Sequence, residues 1–270
     1  MVAKDLVIIK GAGDLATAVG HKLFRCGFSV IMTEIPQPTC VRRQVSFANA
    51  IYEKRWAVEG ISAEAADSFE DMIQVMKSGK IPVIIDPSCK IQERIKAPYL
   101  VDAVLAKKNI GTKKNDAAVV IGLGPGFRAG VDVDMVIETN RGHNLGRIYF
   151  EGGAEADTGI PGNIGGYTKE RVLRAPVEGF IRHVKNIGDF VQYSEAVSFV
   201  GNQPLRAEID GIIRGLIHDG LFVKAGLKIG DIDPRGNIEY LDKISDKARN
   251  IAGGVLEGIL IKTTNLQKKR

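Results

Sequence analysis

The chain lacks most of the signals by which catalytic and metal-binding sequences declare themselves. It has three cysteines, Cys26, Cys40 and Cys89, widely separated and without a CxxC pair. A scattered, odd set argues against both a disulfide framework and a cysteine-held zinc, and makes a reducing cytoplasm the expected setting. The four histidines, at 21, 143, 183 and 218, include no two at ligand spacing, so no metal site is expected. Neither GxSxG nor HExxH occurs. No apolar run approaches the roughly 20 residues of a membrane helix, and no secretory leader is visible, so no membrane association is expected. Aromatic residues make up 6% of the chain, with one tryptophan, and they are not interleaved with basic residues, which argues against nucleic acid as a partner.

What is present describes a globular protein. The 270 residues are 44% hydrophobic and 26% charged, with a net charge of +5 that favours anionic small molecules. The first 165 or so residues alternate between short apolar runs and helical spacing. "LVIIK" (6–10) reads as a buried strand, and "DLATAVGHKLFRCG" has apolar residues at 15, 16, 19, 23 and 24 before Gly27. "FSVIMTE", "IPVIID", "AAVVIGLG", "MVIETN" and "RIYFEG" read as further strands, and "SAEAADSFEDMIQVMKSGK" as an amphipathic helix. This rhythm predicts a parallel sheet with helices on its faces.

Beyond "DTGIPGNIGGY" (157–167) short apolar stretches alternate with glycine turns, and an internal repeat appears. "RAPVEGFIR" (174–182) matches "RAEIDGIIR" (206–214) at five of nine positions, at an offset of 32 that also aligns "GDFV" with "GLFV". Two β-units related by a pseudo-twofold produce such a pattern. It resembles the biotinyl and lipoyl carrier domains, but the matching hairpin tip, "VGNQP" (200–204), has no lysine to modify. The closing segment "SDKARNIAGGVLEGILIK" reads as a helix with Ser245 as N-cap.

Gly11, Gly13 and Ala16 fit G-x-G-x-x-A between a strand and a helix, the pattern that lets a pyrophosphate approach the backbone at a helix N-terminus. Glu34, 23 residues beyond Gly11 at the end of the second strand, stands where a ribose hydroxyl is expected. Asp14 opposes this reading, because its carboxylate repels a pyrophosphate. Gly124 and Gly126, with Arg128 nearby, form a second glycine loop able to offer an anion-binding nest. No Gly-Lys-Ser/Thr follows, so this is not a Walker A loop. Arg42 and Arg141 are further candidates for phosphate, and His143 in "ETNRGHNLGR" is the candidate acid or base. Packing-only turns and solvated basic pairs account for the same residues.

Four stretches carry a family resemblance: "KGAGDLATAVGHKLFRCGFSVIMTEIPQPTCVRRQVSFANAIY", "GLGPGFRAGVDVDMVIETNRGHNLGRI", "DTGIPGNIGGYTKERVLRAP" and "GLKIGDIDPR…ISDKARNIAGGVLEGIL". Together they resemble the YqeB-type accessory proteins of selenium-dependent molybdenum hydroxylases. The N-terminal motif is also similar to the Rossmann domain of XdhC-type cofactor insertion proteins, although no N-terminal cysteine cluster is evident. The resemblance implies a cytoplasmic maturation role beside a molybdenum hydroxylase and its other maturation proteins, and supplies no catalytic residue.

The expected architecture is thus an α/β chain. A Rossmann-like parallel-sheet domain (1–168) precedes a barrel-sandwich, biotinyl/lipoyl-like β domain with a C-terminal helix (169–270). The expected ligand is NAD(P) or a molybdopterin dinucleotide, and a homo-oligomer is the expected assembly. An NAD(P)-dependent oxidoreductase using His143, or a non-catalytic scaffold for a hydroxylase, are the alternatives.

Overall fold

A computed structural model describes residues 5–268, with side chains described through residue 264. The chain divides into two compact units. The first comprises Met1–Pro36, Ser46–Asp157 and Ile244–Arg270, and the second Gln37–Val45 and Thr158–Lys243.

The first unit is built on nine strands: β1 Leu6–Lys10, β2 Ser29–Glu34, β3 Arg55–Val58, β4 Ile61–Ala66, β5 Ile81–Ile85, β6 Tyr99–Asp102, β7 Val119–Leu123, β8 Met135–Ile137 and β9 Ile148–Tyr149. They form one sheet in the order β3-β4-β5-β2-β1-β6-β7-β8-β9. The seven central strands are parallel, while β3 on β4 and β9 on β8 are antiparallel. The helices of this unit are α1 Asp14–Arg25, α2 Ala50–Glu53, α3 Phe69–Lys77, α4 Ile91–Ile95 and α5 Asp246–Lys268. β1 and β7 are buried at every position, as expected of parallel strands covered on both faces. Ile8, Ile31, Leu100 and Val120 share one core cluster with Met72 of α3 and Phe127. Ser245 caps α5 as its sequence predicts, accepting the Ala248 N–H at 3.2 Å.

The second unit holds eight strands: β10 Val172–Arg174, β11 Gly179–His183, β12 Phe190–Val191, β13 Ala196–Val200, β14 Gln203–Arg206, β15 Gly211–Leu216, β16 Phe222–Val223 and β17 Lys228–Asp233. They make two antiparallel sheets, β10-β17-β15-β12 and β14-β13-β11-β16. The 32-residue repeat relates β11 to β15 and β12 to β16. Each short strand pairs with the long strand of the other half: Phe222 with Phe180, and Phe190 with Ile212.

These observations correct the expected fold. The large sheet is mixed, with an antiparallel strand at each edge, and is not the parallel sheet of a Rossmann-like domain. The β region forms two separate four-stranded sheets in place of a barrel-sandwich module. α5 does not finish that region: it packs on α1 and the sheet of the first unit, where Gly254 admits the Gly146 carbonyl. The division falls at 157/158 instead of 168, and residues 37–45 join the second unit. The helix predicted over 62–80 opens as strand, because 61–66 pairs with β3 and β5 while Ser68 caps α3 by accepting the Asp71 N–H at 3.0 Å.

His183 gives the second unit a pH signature. Its Nδ1 lies 2.7 Å from Ser198 Oγ and its Nε2 3.0 Å from the Ile217 carbonyl. Burial holds its pKa below the usual 6.5, against the opposing pull of that carbonyl and of Asp219. As pH falls below 6.5 the unfolded chain takes up this proton before the folded one does. Stability present above 6.5 is therefore lost progressively until the folded value is reached. The urea midpoint of the second unit, followed by its own NMR signals, should drop between pH 7.5 and 5.5, and His183→Gln should flatten the drop. A midpoint that stays level in the wild-type chain contradicts this.

Candidate functional site

β1 lies between β2 and β6. The chain leaves the C-terminal end of β1 toward β2 and that of β6 toward β7, so the two connections diverge. A parallel sheet opens a crevice at such a point, and ligands commonly bind there.

Gly11, with φ +95°, makes the turn out of β1, and a Cβ on it would meet the Ala103 carbonyl at 3.2 Å. The Ala12 carbonyl accepts the Thr17 hydroxyl at 3.0 Å and the Ala48 N–H at 2.8 Å. Phe47 N–H donates to the same Thr17 hydroxyl at 2.8 Å, which fastens residues 47–48 onto the glycine loop. Gly13 is different. It is the N-cap of α1, its backbone is extended, no side chain caps the helix, and nothing lies within 4 Å of where a Cβ would stand. Asp14 opens the first turn of α1, where a carboxylate favours the helix dipole. Glu34 folds back onto the loop, accepting Ala12 N–H at 2.9 Å and its own neighbour Ile35 N–H at 2.8 Å. Burial pushes its carboxyl above the ordinary range, against those two N–H groups.

Beneath this loop lies a group of residues that sequence reasoning missed. Lys10, the last residue of β1, is 5% exposed and sits 3.4 Å from Asp102, the 1% exposed end of β6. Thr112 donates to Asp102 at 2.5 Å and accepts from Lys10 at 3.3 Å, while Val104 N–H reaches the other carboxylate oxygen at 3.2 Å. A lysine closing an apolar strand was the available signal, since a strand buried on both faces has no place for an unpaired ammonium. Nearby, burial and then Asp86 push the Cys89 thiol up to about 12, which leaves it un-ionised and unreactive.

The second glycine loop is closely packed against protein on its Cβ side. A Cβ on Gly124 (φ +76°) would stand 2.5 Å from the Thr139 hydroxyl, and one on Gly126 (φ +105°) 2.5 Å from Lys108 Cα. Protein therefore occupies the side of each glycine on which a side chain would stand. Both glycine loops instead pack against the same connection after β6: Gly11 against Ala103 and Val104, Gly124 against Leu105, Gly126 against Lys107 and Lys108. The two loops thus meet around a piece of chain.

Two of the three expected arginines are engaged by protein groups. Arg42 belongs to the second unit, where its Nη2 donates to the carbonyls of Tyr240 and Lys243, each at 3.0 Å. Arg141 forms a two-point pair with Asp246 at the start of α5, both bonds 2.8 Å. Arg128 is exposed on the connection after β7, and its backbone N–H donates to Asp132. His143 is exposed on the loop between β8 and β9. That loop is shaped by buried Glu138, which accepts the N–H groups of Thr139, Asn140 and Glu155 at 2.7–2.8 Å. His143 faces a cleft lined also by Lys22, and Lys22 is nine residues along α1 from Gly13, about 13 Å at 1.5 Å per residue. Among the described residues no helix is long and apolar enough to cross a membrane.

No family model matches the chain. Over 257 residues, 95% of its length, it is 46% identical to the uncharacterized protein YqeB of Escherichia coli K12. It spans about half of that relative, 48%. Solved structures similar to it include an aspartoacylase family protein from Mesorhizobium loti, at 8% identity over 84% of each chain with a TM-score of 0.27. Another is the product-bound ectoine utilization protein EutE (DoeB) of Ruegeria pomeroyi, at 12% identity over 84% of each chain with a TM-score of 0.25. At such scores they carry nothing over to this chain.

Proposed function

From the four motif stretches that resemble the accessory proteins of molybdenum hydroxylases, we propose that it is an accessory factor in the maturation of such a hydroxylase. Its partners are then that hydroxylase and the other maturation proteins. We further propose that it holds a nucleotide or molybdopterin-type cofactor at the C-terminal edge of the large sheet. The observation that carries the binding half is the start of α1. It is uncapped, it opens onto empty space at Gly13, and it stands where the connections from β1 and β6 diverge. First-turn N–H groups and the helix dipole suit one phosphate edge there. Each Glu34 oxygen holds one backbone N–H and keeps a lone pair for a ligand hydroxyl. The donor set fits a single phosphate and a ribose. It does not fit the arginine-clamped pyrophosphate expected from Arg42, Arg128 and Arg141.

Calorimetry with NAD, NADP, CTP and molybdopterin-cytosine dinucleotide tests the binding half, and silence from all four overturns it. Gly13→Ala sharpens the test. Its φ of −65° suits alanine and the added Cβ meets nothing, so stability should change by about 1 kcal/mol or less. The same methyl occupies the space through which the ligand reaches the first-turn amides. Affinity for the cofactor should fall at least about tenfold, equivalent to about 1.4 kcal/mol. Unchanged affinity moves the ligand away from α1. The oxidoreductase alternative would need His143 to reach a cofactor at Gly13, yet His143 lines a cleft with Lys22, nine residues along α1 from Gly13.

A further inference from the structure

We propose that the cleft facing His143 is a second anion site, for a small phosphomonoester dianion. It lies wholly within the first unit, between the end of α1, the loop joining β8 to β9, and the first half of α5, and has a volume of about 690 Å³. It goes beyond the cofactor site at Gly13 and does not depend on it.

The cations of this cleft are pre-positioned. Lys22 Nζ donates to the Arg249 carbonyl at 3.0 Å, which pins the ammonium to the wall and leaves two of its three N–H groups. The Arg249 guanidinium is steadied by Glu59 at 2.5 Å. Arg147 donates to Asn144 at 3.3 Å and lies over the Tyr149 ring at 5.5 Å. Each therefore surrenders little side-chain freedom when it meets a ligand. Lys22, Arg147 and Arg249 line the cleft with the carboxylate Glu257, and Glu59 balances Arg249, so the site keeps a net positive charge that attracts a phosphate anion. Arg147 and Arg249 bring planar forks suited to phosphate oxygens.

The floor is built for this shape. Gly254 lets α5 approach the Gly146 carbonyl, and a Cβ on Gly146 (φ +80°) would collide with the Asn250 side chain. This closeness holds the loop carrying His143 and Arg147 against the helix carrying Arg249. The cleft is open to solvent, so binding should be salt-sensitive.

The test uses the whole chain, titrated with inorganic phosphate and with phenyl phosphate at constant ionic strength, following amide NMR signals. Saturable shifts at Gly146, Gly253 and Gly254 are expected. Lys22→Ala and Arg147→Ala should each weaken binding about tenfold, and Glu257→Gln should tighten it. Acetate at matched ionic strength should give no saturation at these glycines. The proposal is overturned if phosphate gives no saturable shift there, if acetate does as well as phosphate, or if both cation variants bind unchanged. It is likewise overturned if phosphate moves only the Asp14 and Leu15 signals, an outcome that leaves the cofactor site standing.

Discussion

Asp102→Ala is expected to cost the first unit about 3–5 kcal/mol, the loss typical when one partner of a buried ion pair is removed. The substitution strands Lys10, whose side chain is 6% exposed, without its counter-charge. It also takes away the acceptor of the Thr112 hydroxyl and of the Val104 N–H. Those two bonds hold residues 104 and 112, which flank the stretch that packs against Gly124 and Gly126, so the loss should reach the candidate site as well as the core. Urea denaturation followed by signals of the first unit measures it. Replacing both charges, with Lys10→Met and Asp102→Leu, should recover most of the lost stability, because an apolar pair of similar volume removes the stranded charge. A cost below about 1 kcal/mol for the single variant would show that water reaches Lys10 and that the pair is not sealed in the way its exposure indicates.

The second large effect is expected at Gly126. Gly126→Ala must hold φ +105° with a Cβ, and that Cβ meets Lys108 Cα at 2.5 Å and Lys108 N at 2.6 Å. Backbone cannot swing aside as a flexible side chain does. Conformational strain of about 1–2 kcal/mol and overpacking of about 1–3 kcal/mol add to a loss of roughly 2–5 kcal/mol. Thermal denaturation and a ligand titration together separate the two accounts of this loop. An anion nest predicts lost affinity in a stable chain, whereas a packing glycine predicts lost stability first. Gly13→Ala should behave the opposite way, stable but impaired in binding. A stable Gly126→Ala chain would return this loop to the list of ligand-binding segments.

These paired glycine variants show how far the sequence could be read. G-x-G-x-x-A after an apolar strand identified a strand, a turn and a helix in the right places, and apolar spacing located α1 and most central strands. Ser245 was legible as a cap because capping is a local matter of one hydroxyl and the amides three residues on. The 32-residue repeat was legible too, and it surfaces as the exchanged pairings of β11 with β16 and β15 with β12. Residues 61–66 were misread because the alanines and glutamate of "ISAEAA" favour helix locally. Pairing on both sides, with β3 and β5, overrides that preference.

The sequence by itself determined most of the run of local elements and the division of texture near residue 160. Tertiary structure alone decided which glycines face open space and which face protein. Gly13 and Gly126 look alike in a motif, but the first faces open space and the second faces Lys108, a neighbour 18 residues away in sequence. It also decided the partners of charge: Lys10 found Asp102, Arg141 found Asp246, and Arg42 found two backbone carbonyls. Local spacing fixes helix, strand and turn because those depend on neighbours a few residues apart. Where a guanidinium or an open amide points depends on segments tens to hundreds of residues away, and only their packing supplies that information.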